Sequence, residues 1–136
     1  MRISPAARTT IERHAIEAYP HECCGALYGD PDEGTIAEAL PLPNTTAEGP
    51  RRRFLIQPGD YRAAEAHART SGRAFIGFYH SHPDHPARPS QHDLDHAWPN
   101  MIYTITSVVQ AEVKETTAWR LKEDRSAFER VPIVEG

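Results

Sequence analysis

Around and beyond Ser4-Pro5, the apolar residues Ile3, Ala7, Ile11, Ala15 and Ala18 recur at helical spacing. Serine followed by proline suits an N-cap and first helical residue, so the pattern predicts an amphipathic helix that Pro20 closes. The run Cys23-Cys24-Gly25-Ala26-Leu27-Tyr28-Gly29 is short, apolar and bounded by punctuation, which predicts a buried strand with Glu22 at its mouth. Asp30-Pro31-Asp32-Glu33-Gly34 reads as a turn, and 35–42 as a second strand paired with the first. Residues 43–52 have no hydrophobic period and read as an exposed loop. Phe54-Leu55-Ile56 reads as a strand. Pro58-Gly59-Asp60 then opens a helix carrying Tyr61, Ala64 and Ala68, which Ser71-Gly72 stops. A strand over 73–79 delivers His80. A short helix follows from Gln91 to about Trp98, ended by Pro99, and three strands cover 101–109, 113–121 and 127–134. Strands this apolar need cover on both faces, so the expected architecture is one α/β domain over 1–136, a mixed sheet flanked by helices.

Composition narrows the setting. A chain of 136 residues with 39% hydrophobic and 25% charged residues can bury one genuine core, and no run of about 18 apolar residues could span a bilayer. The start, Met1-Arg2-Ile3-Ser4-Pro5, lacks the pattern of a secretory signal, so the expected compartment is the cytoplasm. A net charge of −4 gives no electrostatic reason to expect nucleic acid. The basic cluster Arg51-Arg52-Arg53 reads as solvated loop. The two cysteines, Cys23 and Cys24, are adjacent and cannot readily bridge each other without strain.

Five of the eight histidines, His80, His82, His85, His92 and His96, fall in one segment. Within it, His80-Ser81-His82-Pro83 and Ser90-Gln91-His92-Asp93 supply two imidazoles and a carboxylate. In an extended segment residues i and i+2 project to the same side, so His80 and His82 can grip one ion, and Pro83 holds His82 extended. Asp93 would lie in the first turn of the short helix, on stiff backbone. Three such ligands leave a tetrahedral zinc one position short, which is the arrangement of a catalytic rather than a structural site. A hydrolase needs a base as well. Glu22, at a strand entrance beside small residues, is the candidate, although a glutamate there is commonly just a surface charge. Ser90 can donate to a developing oxyanion, with helix capping as the competing use of its hydroxyl.

Taken together, Glu22, His80, His82, Ser90 and Asp93 resemble the motif of the JAMM, or MPN-plus, zinc isopeptidases: an upstream glutamate, then H-x-H-P and S-x-x-D with seven residues between the second histidine and the serine. Similarity extends through Pro20-His21-Glu22-Cys23-Cys24-Gly25, residues 54–60 and Gly77-Phe78-Tyr79-His80. The chain looks like the small bacterial and archaeal branch acting on ubiquitin-like sulfur carriers, which includes the CysO-cysteine peptidase and archaeal desampylases. The resemblance implies a cytidine deaminase-like α/β/α sandwich (the JAB1/MPN domain) and one zinc ion on His80, His82 and Asp93. It further implies Glu22 as general acid/base and Ser90 stabilising the tetrahedral intermediate. The partner it implies is a ubiquitin-like or sulfur-carrier protein ending in Gly-Gly, with cysteine, a lysine side chain or a peptide as leaving group. Small enzymes are commonly homodimers, but no surface stripe argues for one here.

Three other functions stand beside this one. A non-catalytic module for ubiquitin-like tails would not need the metal residues, all of which are present. A zinc deaminase would carry H-x-E and P-C-x-x-C, and this chain has no C-x-x-C. A thiol protease built on Cys24 would need a reactive thiol where the strand pattern predicts packed core.

Overall fold

The computed structural model describes residues 1–43 and 56–135. The strand expected at Phe54-Leu55 and most of the loop expected at 43–52, with the cluster Arg51-Arg52-Arg53, lie outside the described residues; Ile56 is buried but not in a strand. The elements run β1 (Arg2–Ile3), α1 (Pro5–Ala18), β2 (Cys24–Asp30), β3 (Thr35–Leu42), α2 (Pro58–Ser71), β4 (Ala74–Pro83), α3 (Gln91–Asp95), β5 (Ile102–Val109), β6 (Glu112–Leu121), β7 (Phe128–Val131) and β8 (Val134–Glu135). Among the described residues, eight strands form one sheet in the order β7-β6-β5-β4-β2-β3-β1-β8. It is mixed: β4 and β5 are parallel, as are β1 with β3 and β8, while the remaining neighbours are antiparallel.

Each helix begins and ends for a local reason. Ser4 caps α1 by accepting the Ala7 amide at 3.1 Å and donates its own proton to the Ala37 carbonyl at 2.9 Å, tying the helix start to β3. Ala7, Ile11 and Ala15, spaced by four, bury one stripe of α1 with Leu27, Ile36, Ile76, Tyr79 and Val108. On the opposite face, Ala64 and Tyr61 of α2 and Leu94 of α3 pack with Cys24, Ala26, Tyr28 and Phe78. The sandwich therefore has α1 on one side and α2 with α3 on the other. Gly72 ends α2 at φ 75°, its amide returning to the Ala68 carbonyl at 3.1 Å.

Three expectations need correction. The strand expected to end at Tyr79 continues to Pro83, because β4 pairs with β5 as far as Pro83↔Val108. The helix expected to reach Trp98 stops at Asp95, since the Trp98 amide bonds the Tyr103 hydroxyl at 2.6 Å instead of a helical carbonyl. The last expected strand is two: Pro132 lacks the N–H a ladder needs, and beyond it β8 joins the opposite edge of the sheet. Three peptide steps reach about 11 Å at most, so the sheet must curl until its edges nearly meet. Helix α1, which touches β3, β4, β5 and β6, lies within that curl.

Two glycines make the central strands fit. A Cβ on Gly25 would stand 2.1 Å from the Tyr79 ring, and one on Gly77 would stand 1.9 Å from the Ile102 carbonyl oxygen. At Gly25 the Leu40 carbonyl oxygen would also stand at 2.5 Å, and at Gly77 the obstacle is entirely backbone that cannot swing away. Gly77→Ala is therefore expected to destabilise the protein by more than about 3 kcal/mol, read as a lower urea midpoint at unchanged slope. A wild-type midpoint would contradict this account of the β4–β5 contact.

Candidate metal centre

Strand β4 places His80 and His82 on the face that carries α3, and α3 begins so as to return Asp93 to them. Ser90 is its N-cap: the Ser90 hydroxyl accepts the Asp93 amide at 3.1 Å, and the Asp93 Oδ2 accepts the Ser90 amide at 2.8 Å. That reciprocal pair fixes the carboxylate. Its Oδ2 stands 3.3 Å from His80 Nε2 and 3.2 Å from His82 Nε2, and the two nitrogens are 3.2 Å apart.

This near-equilateral triangle is a fit test for a cation. Donors at zinc bond lengths of about 2.0–2.1 Å in a tetrahedron stand about 3.3–3.4 Å from one another, and the three atoms already have that spacing. The tautomer of His82 suits the role too. Its Nδ1 is 2.9 Å from the Pro86 carbonyl, which can only accept, so Nδ1 carries the proton and Nε2 keeps its lone pair for an ion.

Burial sorts the three ligands. His80 is 1% exposed, His82 8% and Asp93 6%. His80 thus closes the back of the site, while His82 and Asp93 line a cavity of about 750 Å³ shared with Glu22 and Ser90. Charge follows the same order. Burial lowers the His80 pKa and prevails over the attraction of Asp93, so the ring stays neutral. Burial also works to lower His82, but the hydrogen bond and charge of Asp93, the Pro86 carbonyl and Glu22 outweigh it and the pKa is raised. For Asp93, burial works upward and is overcome by the two imidazoles and the Ser90 amide, which hold the carboxyl far below the usual carboxylate range.

The loop between His82 and α3 is pinned from neighbouring strands. Ser107 donates to the His85 carbonyl at 2.6 Å, and buried Thr117 donates to the Ala87 carbonyl at 2.6 Å while accepting the Trp119 indole at 2.8 Å. Ser81, between the two histidines, accepts the Cys23 amide at 2.9 Å and donates its own amide to the Cys23 carbonyl at 3.1 Å, which fixes the residue next to Glu22. None of Ser81, Ser107 or Thr117 stood out as functional in the sequence. The available signal was hydroxyl side chains at interior positions of otherwise apolar strands. Of the other clustered histidines, His85 and His92 line the cavity, whereas His96 stacks on His92 with ring centroids 4.2 Å apart.

A model of the prokaryotic homologs of the JAB domain matches residues 4–122. The chain belongs to this family. A desampylase of Haloferax volcanii is 36% identical over 112 residues, covering 79% of this chain and 80% of its own. The solution structure of a Salinibacter ruber protein is 42% identical, covers 100% of this chain and 92% of its own, and superposes with a TM-score of 0.77. The crystal structure of a JAB1/MPN domain protein from Archaeoglobus fulgidus, 22% identical, shares the JAB domain fold over 99% of this chain and 98% of its own, with a TM-score of 0.62.

Both cysteines of this JAB domain are free and buried. Burial foremost pushes the Cys23 thiol up to about 11, and burial, the adjacent thiol and the carboxylates of Asp60 and Glu22 push Cys24 up to about 12. Neither is a nucleophile at neutral pH, which removes the thiol-protease alternative. At pH 8 about one thousandth or less of either thiol is ionised, so iodoacetamide should leave the native protein unmodified and label both sites in urea. Rapid labelling of the folded protein would show that the β2 entrance is open.

Proposed function

We propose that the protein is a zinc-dependent metallopeptidase, a hydrolase of the JAMM isopeptidase type, that cleaves the bond after the C-terminal Gly-Gly of a ubiquitin-like or sulfur-carrier protein. The observation that carries this reading is the triangle of His80 Nε2, His82 Nε2 and Asp93 Oδ2, sealed behind by His80 and facing a cavity that Glu22 and Ser90 also line. A closed structural site would have a fourth protein ligand in place of that cavity. Kinship with a desampylase over four-fifths of both chains supports a ubiquitin-like substrate.

His80, His82 and Asp93 would hold the ion. Zinc bound there would supply Lewis acidity for the hydrolysis. Glu22 takes the proton of the attacking water and passes it to the departing amine, so one carboxylate serves as base and then as acid. Ser90 donates its hydroxyl proton to the carbonyl oxygen as negative charge grows there. Its capping duty does not conflict, because the cap uses the oxygen as acceptor and leaves the proton for the substrate. The glycine tail suits a confined approach, since side chains near the scissile bond would crowd the cavity. Cysteine, attached through its amine to the carrier terminus, is a leaving group this arrangement would release.

The decisive measurement is mass spectrometry of a Gly-Gly-terminated ubiquitin-like carrier bearing a short C-terminal extension, incubated with the zinc-loaded protein. The extension should be released as an intact peptide, and zinc-loaded protein that leaves the carrier unchanged would overturn the reading. Glu22→Gln should retain one zinc and lose at least about a hundredfold in kcat, whereas His82→Ala should lose zinc itself on dialysis. Full turnover by Glu22→Gln would remove Glu22 as the base. A protein that binds the carrier equally well with and without zinc, and never cleaves it, would be a binding module instead.

A further inference from the structure

Glu22 reaches the cavity from a five-residue bridge, 19–23, between the end of α1 and the start of β2. Both ends of that bridge are fastened to the same stretch of chain that carries the ligands. At the inner end Cys23 and Ser81 exchange two hydrogen bonds, one of them through the serine hydroxyl. At the outer end the Tyr19 hydroxyl lies 2.9 Å from each oxygen of the Asp84 carboxylate. Asp84 is itself held: its amide bonds the Val108 carbonyl at 2.7 Å, and its carboxylate accepts the Gln110 amide at 3.3 Å. Pro20 fixes one further backbone torsion of the bridge.

We propose that Tyr19 and Asp84 are positioning residues, a phenol–carboxylate latch that sets where Glu22 stands against His82 and Asp93. The proposal rests on Glu22 being the proton carrier. Without the latch the bridge keeps the Cys23 pair and the His21 amide on the Ala18 carbonyl at 2.8 Å, but its outer end loses its tie to the strand that carries the ligands. Proton transfer needs heavy atoms within hydrogen-bond reach, so a displacement of about 1 Å costs turnover far more than it costs binding. The latch itself is solvent-accessible and contributes little to folding.

The test uses the full zinc-loaded chain with a ubiquitin-like carrier whose Gly-Gly terminus bears a fluorogenic amine. Tyr19→Phe removes one hydroxyl and should lower kcat about tenfold with KM changed less than about twofold. Zinc stoichiometry should stay at one, and amide exchange at His21 to Cys23 should accelerate. Asp84→Ala should repeat that loss. Asp84 has φ 58°, a left-handed conformation asparagine tolerates, so Asp84→Asn keeps both backbone and acceptor and should restore turnover relative to alanine. A wild-type kcat in Tyr19→Phe, unchanged exchange over 21–23, or Asp84→Asn as impaired as Asp84→Ala would each overturn the latch. Zinc-loaded wild type that cleaves nothing would instead overturn the hydrolase reading, and the exchange measurement would still judge the latch.

Discussion

The return of one carboxylate to two imidazoles is the constraint on which the centre depends. Asp93 lies eleven residues beyond His82, and its Oδ2 must arrive within about 0.2 Å of the required distance to complete a tetrahedral donor set. A free loop would spread that atom over many positions. Here the Pro86, His85 and Ala87 carbonyls are each taken by a donor from β4, β5 or β6, and the Ser90 cap then orients the helix start. A net value of about 0.5–1.5 kcal/mol per hydrogen bond is modest for stability. Placed in series along residues 85–93, those bonds decide whether the ligands meet.

The division between the sheet faces follows from the same economy. One face of β4 bears His80 and His82, the other bears Tyr79 against α1, so ligand-bearing and core-bearing residues alternate along a single strand. Ser107 of β5 and Thr117 of β6 serve the first face. Thr117 reaches Ala87 from β6, two strands away from β4, and so the curled sheet contributes to the centre well beyond the strand that carries its ligands.

Much of this was legible in the sequence because it depends on local rules. Alternation on a strand put His80 and His82 on one side, the Ser90-to-Asp93 spacing announced a cap, and the Ala7-to-Ala18 period announced α1, although Ile3, read with that period, lies in β1. The longer reach of β4 and the early end of α3 were not legible. They are decided by partners far along the chain, the parallel pairing with β5 and the Tyr103 hydroxyl that takes the Trp98 amide. The splitting of the last strand belongs to the same class, although Pro132 marked the place. Ser81, Ser107 and Thr117 were missed for a further reason. Their work is done on backbone atoms, and a sequence does not reveal which carbonyl a hydroxyl will find.

The crossing of Gly25 under the Tyr79 ring joins these two faces mechanically. Tyr79 precedes His80, and its hydroxyl is anchored 2.7 Å from His14 Nδ1 on α1. A side chain grown at residue 25 would push the ring, and the ring would drag the backbone that aims the first imidazole. Core packing and ligand geometry are therefore not separable traits in this strand pair. A substitution that repacks the α1 side of Tyr79 acts on the strand that aims His80.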